Sequence, residues 1–317
     1  MPSLKPFLHF ADRLFERIEK LNTRVCVGLD PDLSRFPQKL LEKYGLASAL
    51  PKGLDRTSFE KAAACIVEFN KMAIDAVCDF AAAIKPQSAH FERFGSFGTQ
   101  ALYETVTYAR ERGLVVILDV KRNDIGSTAE EYAGAYLGAD AGPGCAAVPS
   151  DAVTVNPYLG LDGIKPFVEL CAKHGKGIFV LVKTSNPSGA DIQDLALRES
   201  GDTLALHVAS LVNQWGSGLV GKRGYSAVGA VVGATHPKDI KALRERMPES
   251  VFLLPGYGAQ GAKAEDVRHA FKHGLGAIAA SSRAVIYPCP PETHDFQQKI
   301  KDTARLMRDD LNRVVCR

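Results

Sequence analysis

The segment Leu118-Asp119-Val120-Lys121-Arg122-Asn123-Asp124 concentrates the charged side chains that acid–base and electrostatic catalysis require. It follows an apolar run, residues 114–118, that is typical of a buried strand. Side chains alternate along an extended strand, so Asp119 and Lys121 are predicted to share one face while Val120 points to the other. If that face opens into a pocket, a carboxylate and an ammonium group lie side by side in it. Strand ends also carry charges that simply reach water, and the rest of the chain decides between these two interpretations.

Eight short apolar segments recur along the chain, each separated from the next by enough residues for a helix. Uninterrupted apolar strands are typical of parallel sheets that are buried on both faces. The pattern predicts an α/β fold, namely a single (β/α)8 TIM barrel over residues 1–317 with extra N- and C-terminal helices. An open, doubly wound sheet is the alternative, but no G-x-G-x-x-G motif follows the first strand. The predicted strands are residues 25–30, 81–84, 114–120, 152–156, 177–182, 226–232, 251–254 and 277–280.

In a (β/α)8 barrel the catalytic groups come from the carboxyl ends of the strands. Polar residues that directly follow the predicted strands are therefore expected to meet at one rim. Each of these residues alone can be explained as a charged or polar strand end that reaches water. Chance does not explain well why polar residues follow so many of the strands. These residues are Asp30, Lys85, Asp119, Lys121, Asp124, Asn156, Lys183, Thr184, Ser185 and Arg283.

A glycine-rich segment, Pro255-Gly256-Tyr257-Gly258-Ala259-Gln260-Gly261, follows the seventh predicted strand. Glycines allow backbone N–H groups to approach a ligand closely. Arg283 follows the eighth strand, and its guanidinium fork suits a phosphate. Such a loop by itself is often only a tight turn. Loops after strands 7 and 8 often hold a phosphate in these barrels, so the combination predicts a ligand with a phosphate monoester.

The predicted rim combines lysines and aspartates, without a His, Glu and Asp set at metal-ligand spacing. It also lacks a Ser–His pair placed as nucleophile and base. Lysine is the one group there that is both cationic and a proton donor. The pattern indicates metal-free chemistry in which a carbanion is stabilised and then protonated.

The composition argues against several classes of function. The 317 residues are 46% hydrophobic and 24% charged, as in a globular protein with a sizeable core. A net charge of +3 without basic clusters or an aromatic–basic repeat argues against a nucleic-acid partner. Seven scattered cysteines form no C-x-x-C or zinc-like pattern, which fits thiols in a reducing compartment. No signal-peptide pattern and no apolar run of about 20 residues occurs, so we expect a cytoplasmic protein without membrane attachment.

These motifs resemble those of the orotidine 5'-phosphate decarboxylase family, in its longer-chain bacterial branch (type 2). The most specific match is the D-x-K-x-x-D signature, Asp119 to Asp124, followed by Ile125. The resemblance spans nearly the whole chain. Further matching segments are Gly28-Leu29-Asp30, Ile84-Lys85-Pro86, Thr154-Val155-Asn156-Pro157-Tyr158-Leu159-Gly160, the glycine-rich segment 255–261 and the segment around Arg283.

The resemblance implies decarboxylation of orotidine 5'-phosphate to UMP and CO2, the final step of de novo pyrimidine synthesis, without a metal or cofactor. It implies a charged array of Lys85, Asp119, Lys121 and Asp124, in which Lys121 protonates a carbanion at C6. It also implies a homodimer in which Asp124 and Thr128 reach the neighbouring subunit's site. The implied substrate contacts are Asp30 with a ribose hydroxyl, Thr128 across the subunit boundary, Ser185 with the pyrimidine, and Gln260 and Arg283 with the phosphate.

The chain departs from the shorter members of that family in two places. The signature contains Lys121-Arg122-Asn123, and a long connection spans residues 31–57. Neither departure removes a functional position. The loop correspondences are expected to differ there.

Two other functions are compatible with a barrel of this kind. Metal-dependent sugar-phosphate decarboxylases and aldolases share the barrel and the D-x-K-x-x-D signature, but they commonly place a magnesium-binding Glu where this chain has Lys85. A phosphate-binding barrel without turnover, such as a regulatory protein, is the other alternative. The presence of Asp119, Lys121 and Arg283 argues against it.

Overall fold

The eight strands form a closed parallel barrel in the computed structural model, which describes residues 8–46, 56–258 and 261–315. Each strand pairs with its neighbour in sequence, and the first strand also pairs with the last. The predicted (β/α)8 architecture is confirmed, and the open doubly wound sheet is excluded. The strands are β1 (Val25–Leu29), β2 (Ala83–Pro86), β3 (Val115–Arg122), β4 (Ala152–Val155), β5 (Gly177–Lys183), β6 (Ser226–Val232), β7 (Ser250–Pro255) and β8 (Ala277–Ser281).

Helices alternate with these strands and surround the barrel. The predicted extra helices at both ends of the chain are present, as α1 and α13. The α-helices of the described residues are α1 (Phe10–Leu21), α2 (Gln38–Lys43), α3 (Arg56–Val77), α4 (Ala89–Glu92), α5 (Gly95–Glu111), α6 (Gly126–Leu137), α7 (Leu161–His174), α8 (Ala190–Gln193), α9 (Leu204–Gly216), α10 (Pro237–Arg246), α11 (Ala264–Val267), α12 (Arg283–Ile286) and α13 (Phe296–Val315).

The residue pattern predicts one helix over residues 264–273 and a short helix within the polar connection that follows β1. The helix expected over 264–273 is wrong beyond α11, because residues Arg268–Ala270 form a 3-10 helix and Phe271 turns extended to pack its ring against the core. The connection over 31–57 contains the expected short helix, α2, preceded by a 3-10 helix at Leu33–Arg35. Residues 47–55 of this connection lie outside the described ranges.

Helix α1 closes the amino-terminal end of the barrel. Its buried side chains include Phe10 and Leu14, which recur at helical spacing and face the barrel interior. The Phe10 ring meets the Phe179 ring edge to face, with centroids 5.8 Å apart. Gly177, at the start of β5, makes room for this ring, because a Cβ there would lie 2.3 Å from Phe10 Cδ1. An apolar plug therefore fills this end, and the polar residues gather at the other.

The strands are apolar on both faces because each face packs against a different layer. In β5, Phe179 points into the barrel, whereas Ile178 and Val180 pack outward against the helices. Both kinds of position are fully buried. This explains why the predicted strands read as continuous apolar runs and not as alternating ones. No helix among the described residues combines the length and the apolar character that a membrane crossing requires.

Candidate active site

Asp119 lies near the end of β3, at the C-terminal rim that is formed by the carboxyl ends of the eight strands. Lys85 Nζ lies 2.6 Å from Asp119 Oδ2, and Lys121 Nζ lies 2.5 Å from Asp119 Oδ1. Thr154 Oγ1, at 2.9 Å, donates a third hydrogen bond to Oδ1. The structure thus brings three of the predicted residues, Lys85, Asp119 and Lys121, into direct contact. A buried carboxylate therefore accepts hydrogen bonds from two ammonium groups and one hydroxyl group.

The electrostatics of this cluster favour the fully charged state. Burial by itself raises the pKa of Asp119, but the charges of Lys85 and Lys121 and their hydrogen bonds outweigh it and hold the pKa well below its usual range. Burial lowers the pKa of Lys85, but Asp119 and Asp30 outweigh that effect and raise it above its ordinary value. The carboxylate and the Lys85 ammonium are therefore permanently charged near neutral pH.

The charged cluster gives the stability of the protein a defined pH dependence. The pKa of Asp119 is depressed on folding, so its stabilising contribution is present above about pH 4 and is lost as the pH falls below that value. The pKa of Lys85 is raised, so its contribution is present below about pH 10 and is lost as the pH rises further.

Asp119→Asn is expected to lower the free energy of unfolding by about 3 kcal/mol at pH 7, because it leaves the buried Lys85 ammonium unpaired. The difference from the wild type should narrow by roughly 1 kcal/mol between pH 5 and pH 3. Urea unfolding at several pH values measures both effects. Asp302→Asn is the control, because the Asp302–Arg305 pair is exposed and should change stability by less than about 0.5 kcal/mol. A pH-independent difference for Asp119→Asn would contradict this account.

Lys121 reaches Asp119 through an irregular backbone. The pairing of β3 with β4 shifts between Leu118 and Arg122, so the alternation of a regular strand does not continue through this segment. Lys121 has φ +44°, which lies in the left-handed region. Its N–H donates to Thr154 Oγ1 at 3.0 Å. Asp119 and Lys121 do meet, as the sequence predicted, but the assumption of an extended strand was wrong at Lys121.

Lys85 and Lys121 differ in their access to solvent. The Lys85 side chain is 9% exposed, whereas the Lys121 side chain is 45% exposed. Lys85 lies within β2 and holds Asp119 from the inside of the barrel. Lys121 is therefore the more solvent-accessible of the two ammonium groups that contact Asp119.

Asp30 and Ser185 lie at the same rim. Asp30 directly follows β1, and its Oδ1 atom is buried without a hydrogen-bond partner among the described residues. Its negative charge contributes to the raised pKa of Lys85, so it belongs to the same electrostatic cluster. Ser185 is half-buried two residues after β5, and its backbone packs against Gly233 at the end of β6. An unsatisfied acceptor such as Asp30 Oδ1 suits a ligand hydroxyl group.

The loops after β7 and β8 have the features of the predicted phosphate site. Gly256, Gly258 and Gly261 have φ angles of +99°, +73° and +88°, so the loop needs glycine at each of these positions. Gln260 lies outside the described residues. Arg283 is exposed at the start of α12, and its side chain makes no hydrogen bond or ion pair with the residues described, which leaves its guanidinium group available.

Asp124 and Thr128 stand apart from the charged cluster. Asp124 Oδ1 accepts the N–H of Ile125 at 2.9 Å, and the carboxylate makes no ion pair within the described part of the chain. Thr128 is exposed in the first turn of α6. The structure does not bring either residue into contact with Lys85, Asp119 or Lys121 of the same chain.

The structure places two residues near the ends of the strands differently from the prediction. Lys183 does not contact the charged cluster, because its Nζ pairs with Asp194 and lies 3.7 Å from Asp239, on the loop and helix outside the barrel. Thr154 was not predicted as a site residue, although it binds Asp119. A hydroxyl side chain inside an otherwise apolar strand was the available signal.

Comparisons with known proteins agree with this geometry. A family model described as "Orotidine 5'-phosphate decarboxylase / HUMPS family" matches residues 23–291. The orotidine 5'-phosphate decarboxylase of Caldicellulosiruptor saccharolyticus is 39% identical over 312 residues, covering 97% of this chain and 99% of the relative. That of Rhodopirellula baltica is 44% identical over 279 residues, covering 88% of each chain.

Solved structures give the same result. The structure of Leishmania donovani OMP decarboxylase has a TM-score of 0.71 and 30% identity, covering 97% of this chain and 98% of that chain. A crystal structure from Streptomyces avermitilis has a TM-score of 0.78 and 32% identity, covering 100% of this chain and 99% of that chain. Matching sequence, barrel and signature together show that this chain belongs to the orotidine 5'-phosphate decarboxylase family.

Proposed function

We propose that the protein converts orotidine 5'-phosphate to UMP and CO2 without a metal or cofactor. The observation that carries the proposal is the Asp119 carboxylate held between Lys85 and Lys121 at the mouth of a (β/α)8 barrel. Relatives that align with nearly the whole chain carry the name of this activity.

The proposed reaction is a direct decarboxylation. The bond between C6 and the carboxylate breaks, and CO2 leaves. The electron pair of this bond remains on C6 as a vinyl carbanion outside the ring π system. Lys121 places its positive charge beside C6 and then donates a proton to it, which gives UMP and a neutral amine. Water recharges this amine, since the Lys121 side chain is 45% exposed. The buried Asp119 and Lys85 fix the position of the ammonium before the reaction, so no reorganisation is needed at the transition state.

The rest of the rim is proposed to bind the nucleotide. Asp30 accepts a hydrogen bond from a ribose hydroxyl, because its Oδ1 is otherwise unsatisfied. Ser185 contacts the pyrimidine, and Gln260 and Arg283 bind the phosphate beside the glycine loop. Phosphate binding far from C6 supplies energy that holds the loops closed over the reacting carbon.

A metal-dependent reaction on a sugar phosphate is the second candidate, because such enzymes share the signature. The arrangement around Asp119 argues against it. Lys121 and Thr154 donate to Oδ1 and Lys85 donates to Oδ2, and the two ammonium charges repel a metal cation from this carboxylate. Within residues 8–46, 56–258 and 261–315, no three His, Cys, Asp or Glu side chains converge as a metal site.

The test is the loss of orotidine 5'-phosphate absorbance after the protein is added in metal-free buffer. The proposal expects turnover that EDTA leaves unchanged. Turnover that EDTA abolishes and magnesium restores would support the metal-dependent alternative. Tight binding of the nucleotide without turnover would favour a regulatory phosphate-binding barrel.

We also propose that the protein is a homodimer with shared active sites, each subunit being one barrel domain over residues 1–317. Asp124 supports this proposal, because its carboxylate accepts a hydrogen bond from the N–H of Ile125 and forms no ion pair within its own described chain. Thr128 is exposed nearby. In the dimer, Asp124 and Thr128 of each subunit enter the site of the other, where Asp124 completes the Lys85–Asp119–Lys121 array.

An exposed apolar surface surrounds Asp124 and supports the same proposal. Of the ten large apolar side chains exposed among the described residues, six lie in the segments that follow β3, β4 and β5. A Cβ at Gly163 would lie 3.0 Å from the backbone carbonyl oxygen of Asp124 and 3.4 Å from Leu159 Cβ, so the backbone of Asp124 is next to this surface. Exposed apolar surface of this kind marks a protein interface. The six residues are Ile125, Tyr158, Leu159, Leu161, Ile192 and Leu195.

A further inference from the structure

Lys121 adopts a backbone conformation that it does not favour by itself. Its φ angle of +44° places it in the left-handed region, where a lysine pays a steric cost that glycine avoids. The side chain is 45% exposed, so packing does not hold it there. Such a conformation persists only when the surrounding structure over-determines it. The neighbouring residue, Arg122, supplies that structure.

The two terminal nitrogens of the Arg122 guanidinium group are hydrogen-bonded, whereas its buried Nε has no hydrogen-bond partner among the described residues. Nη2 donates to Glu92 Oε1 at 2.6 Å and to the Tyr136 hydroxyl at 3.2 Å. Nη1 donates to Val120 O at 3.3 Å. Its central carbon lies 5.5 Å and 5.9 Å from the ring centroids of Tyr132 and Tyr136, in cation–π contact. The side chain therefore points outward, among α4 and α6, away from the mouth of the barrel.

These contacts fix the peptide group that precedes Lys121. Arg122 holds its carbonyl, Val120 O, while Thr154 Oγ1 accepts its N–H at 3.0 Å. Arg122 O accepts the N–H of Asn156 at 3.0 Å, where pairing with β4 resumes after the register shift. Hydrogen bonds therefore fix the backbone on both sides of Lys121. Because both sides are fixed, Lys121 between them adopts the left-handed φ angle.

We propose that Arg122 is a positioning residue for the decarboxylation. It anchors the bulge to α4 and α6, keeps Lys121 in the left-handed conformation, and so aims the Lys121 ammonium at Asp119 and at the reacting carbon. This inference rests on the proposed function, since it assigns Arg122 a role through Lys121. Without the anchor, Lys121 relaxes towards ordinary strand angles and its ammonium leaves Asp119.

Arg122→Met tests the proposal, because it removes the charge and the forked hydrogen bonds but keeps an apolar side chain against the tyrosines. We expect kcat for orotidine 5'-phosphate to fall roughly 100-fold, since a misplacement of about 1 Å has this effect on a catalytic group. The KM and the Kd for UMP should stay within about threefold, because Arg122 faces away from the mouth. Arg122→Lys should have a kcat about tenfold higher than that of Arg122→Met, since a lysine still pairs with Glu92.

Arg112→Met is the matched control. The Arg112 guanidinium also pairs with a carboxylate, Asp75 at 2.6 Å, and lies 5.1 Å from a tyrosine ring centroid, that of Tyr108. It follows α5, just before the amino-terminal end of β3, far from the C-terminal rim. Arg112→Met removes the same kinds of contact and should leave kcat unchanged.

The outcomes separate this inference from the proposed function. A kcat of Arg122→Met within threefold of the wild type would overturn the positioning role. Equal losses of kcat in Arg122→Met and Arg112→Met would also overturn it, because the effect would then be one of general stability. Wild-type protein that fails to turn over orotidine 5'-phosphate would instead overturn the proposed function.

Discussion

Lys121→Ala is expected to lower kcat for orotidine 5'-phosphate by at least about four orders of magnitude while the protein stays folded and still binds UMP. The substitution removes the proton donor, worth about 10²–10⁴ in rate, and the positive charge beside C6, worth about 10²–10³. Lys121 is 45% exposed and is one of three donors to Asp119, so its loss should cost little stability. Steady-state kinetics, UMP binding by calorimetry and thermal unfolding measure the three quantities.

Lys176→Met is the matched control for this prediction. Lys176 is also ion-paired, with Nζ 2.6 Å from Asp140, but it precedes β5 at the amino-terminal end of the barrel. Its side chain is 2% exposed, so this variant should lose more stability than Lys121→Ala and yet keep its kcat. Near-normal turnover by Lys121→Ala would refute the assignment of Lys121 as the proton donor.

Mixing inactive Lys121→Ala with inactive Asp124→Ala is expected to restore about a quarter of the wild-type activity. In the mixed dimer, the pocket of the Asp124→Ala subunit keeps its Lys121 and receives an intact Asp124 from the other subunit. Equal mixing makes about half of the dimers mixed, and each of these has one good site of two. Asp124→Ala alone should lose at least about 100-fold in kcat, because a charge of the preorganised array is missing.

Lys121→Ala mixed with Asp119→Ala is the control, because both residues belong to the same pocket of the same chain. Every mixed dimer then has one damaged residue in each pocket, so mixing should restore nothing. Subunit exchange is followed with two different affinity tags. Complete exchange without recovery in the Lys121→Ala and Asp124→Ala mixture would show that Asp124 acts within its own subunit or not at all.

The barrel and the position of its active end follow from the residue pattern. Apolar runs bounded by polar residues require burial on both faces, and a parallel strand buried in this way needs a helix on its outer side. Eight such units close into one sheet, as in the structure. Because all carboxyl ends of parallel strands lie at one end, Lys85 and Asp119 were predicted to meet although they are 34 residues apart.

Long-range packing explains the differences between prediction and structure. Lys183 follows an apolar strand just as Asp119 does, but a register shift between β5 and β6 accompanies the contacts of Lys183 with Asp194 and Asp239. Such register shifts depend on pairing with a strand that is distant in sequence. The alternation of side chains within one strand therefore cannot predict them. Asp124 was predicted to lie past the strand end. Its lack of a cationic partner within the described chain became visible only in three dimensions.

The sequence by itself determined the barrel, the family and the charged residues of the signature, because each depends on residue type and order along the chain. The tertiary structure decided how those charges are held. It assigned Lys85 to one oxygen of Asp119 and Lys121 to the other, added Thr154, and placed Lys121 in the left-handed conformation beside the anchored Arg122. These features depend on distances between segments far apart in sequence and on one register shift, and spacing along the chain contains neither.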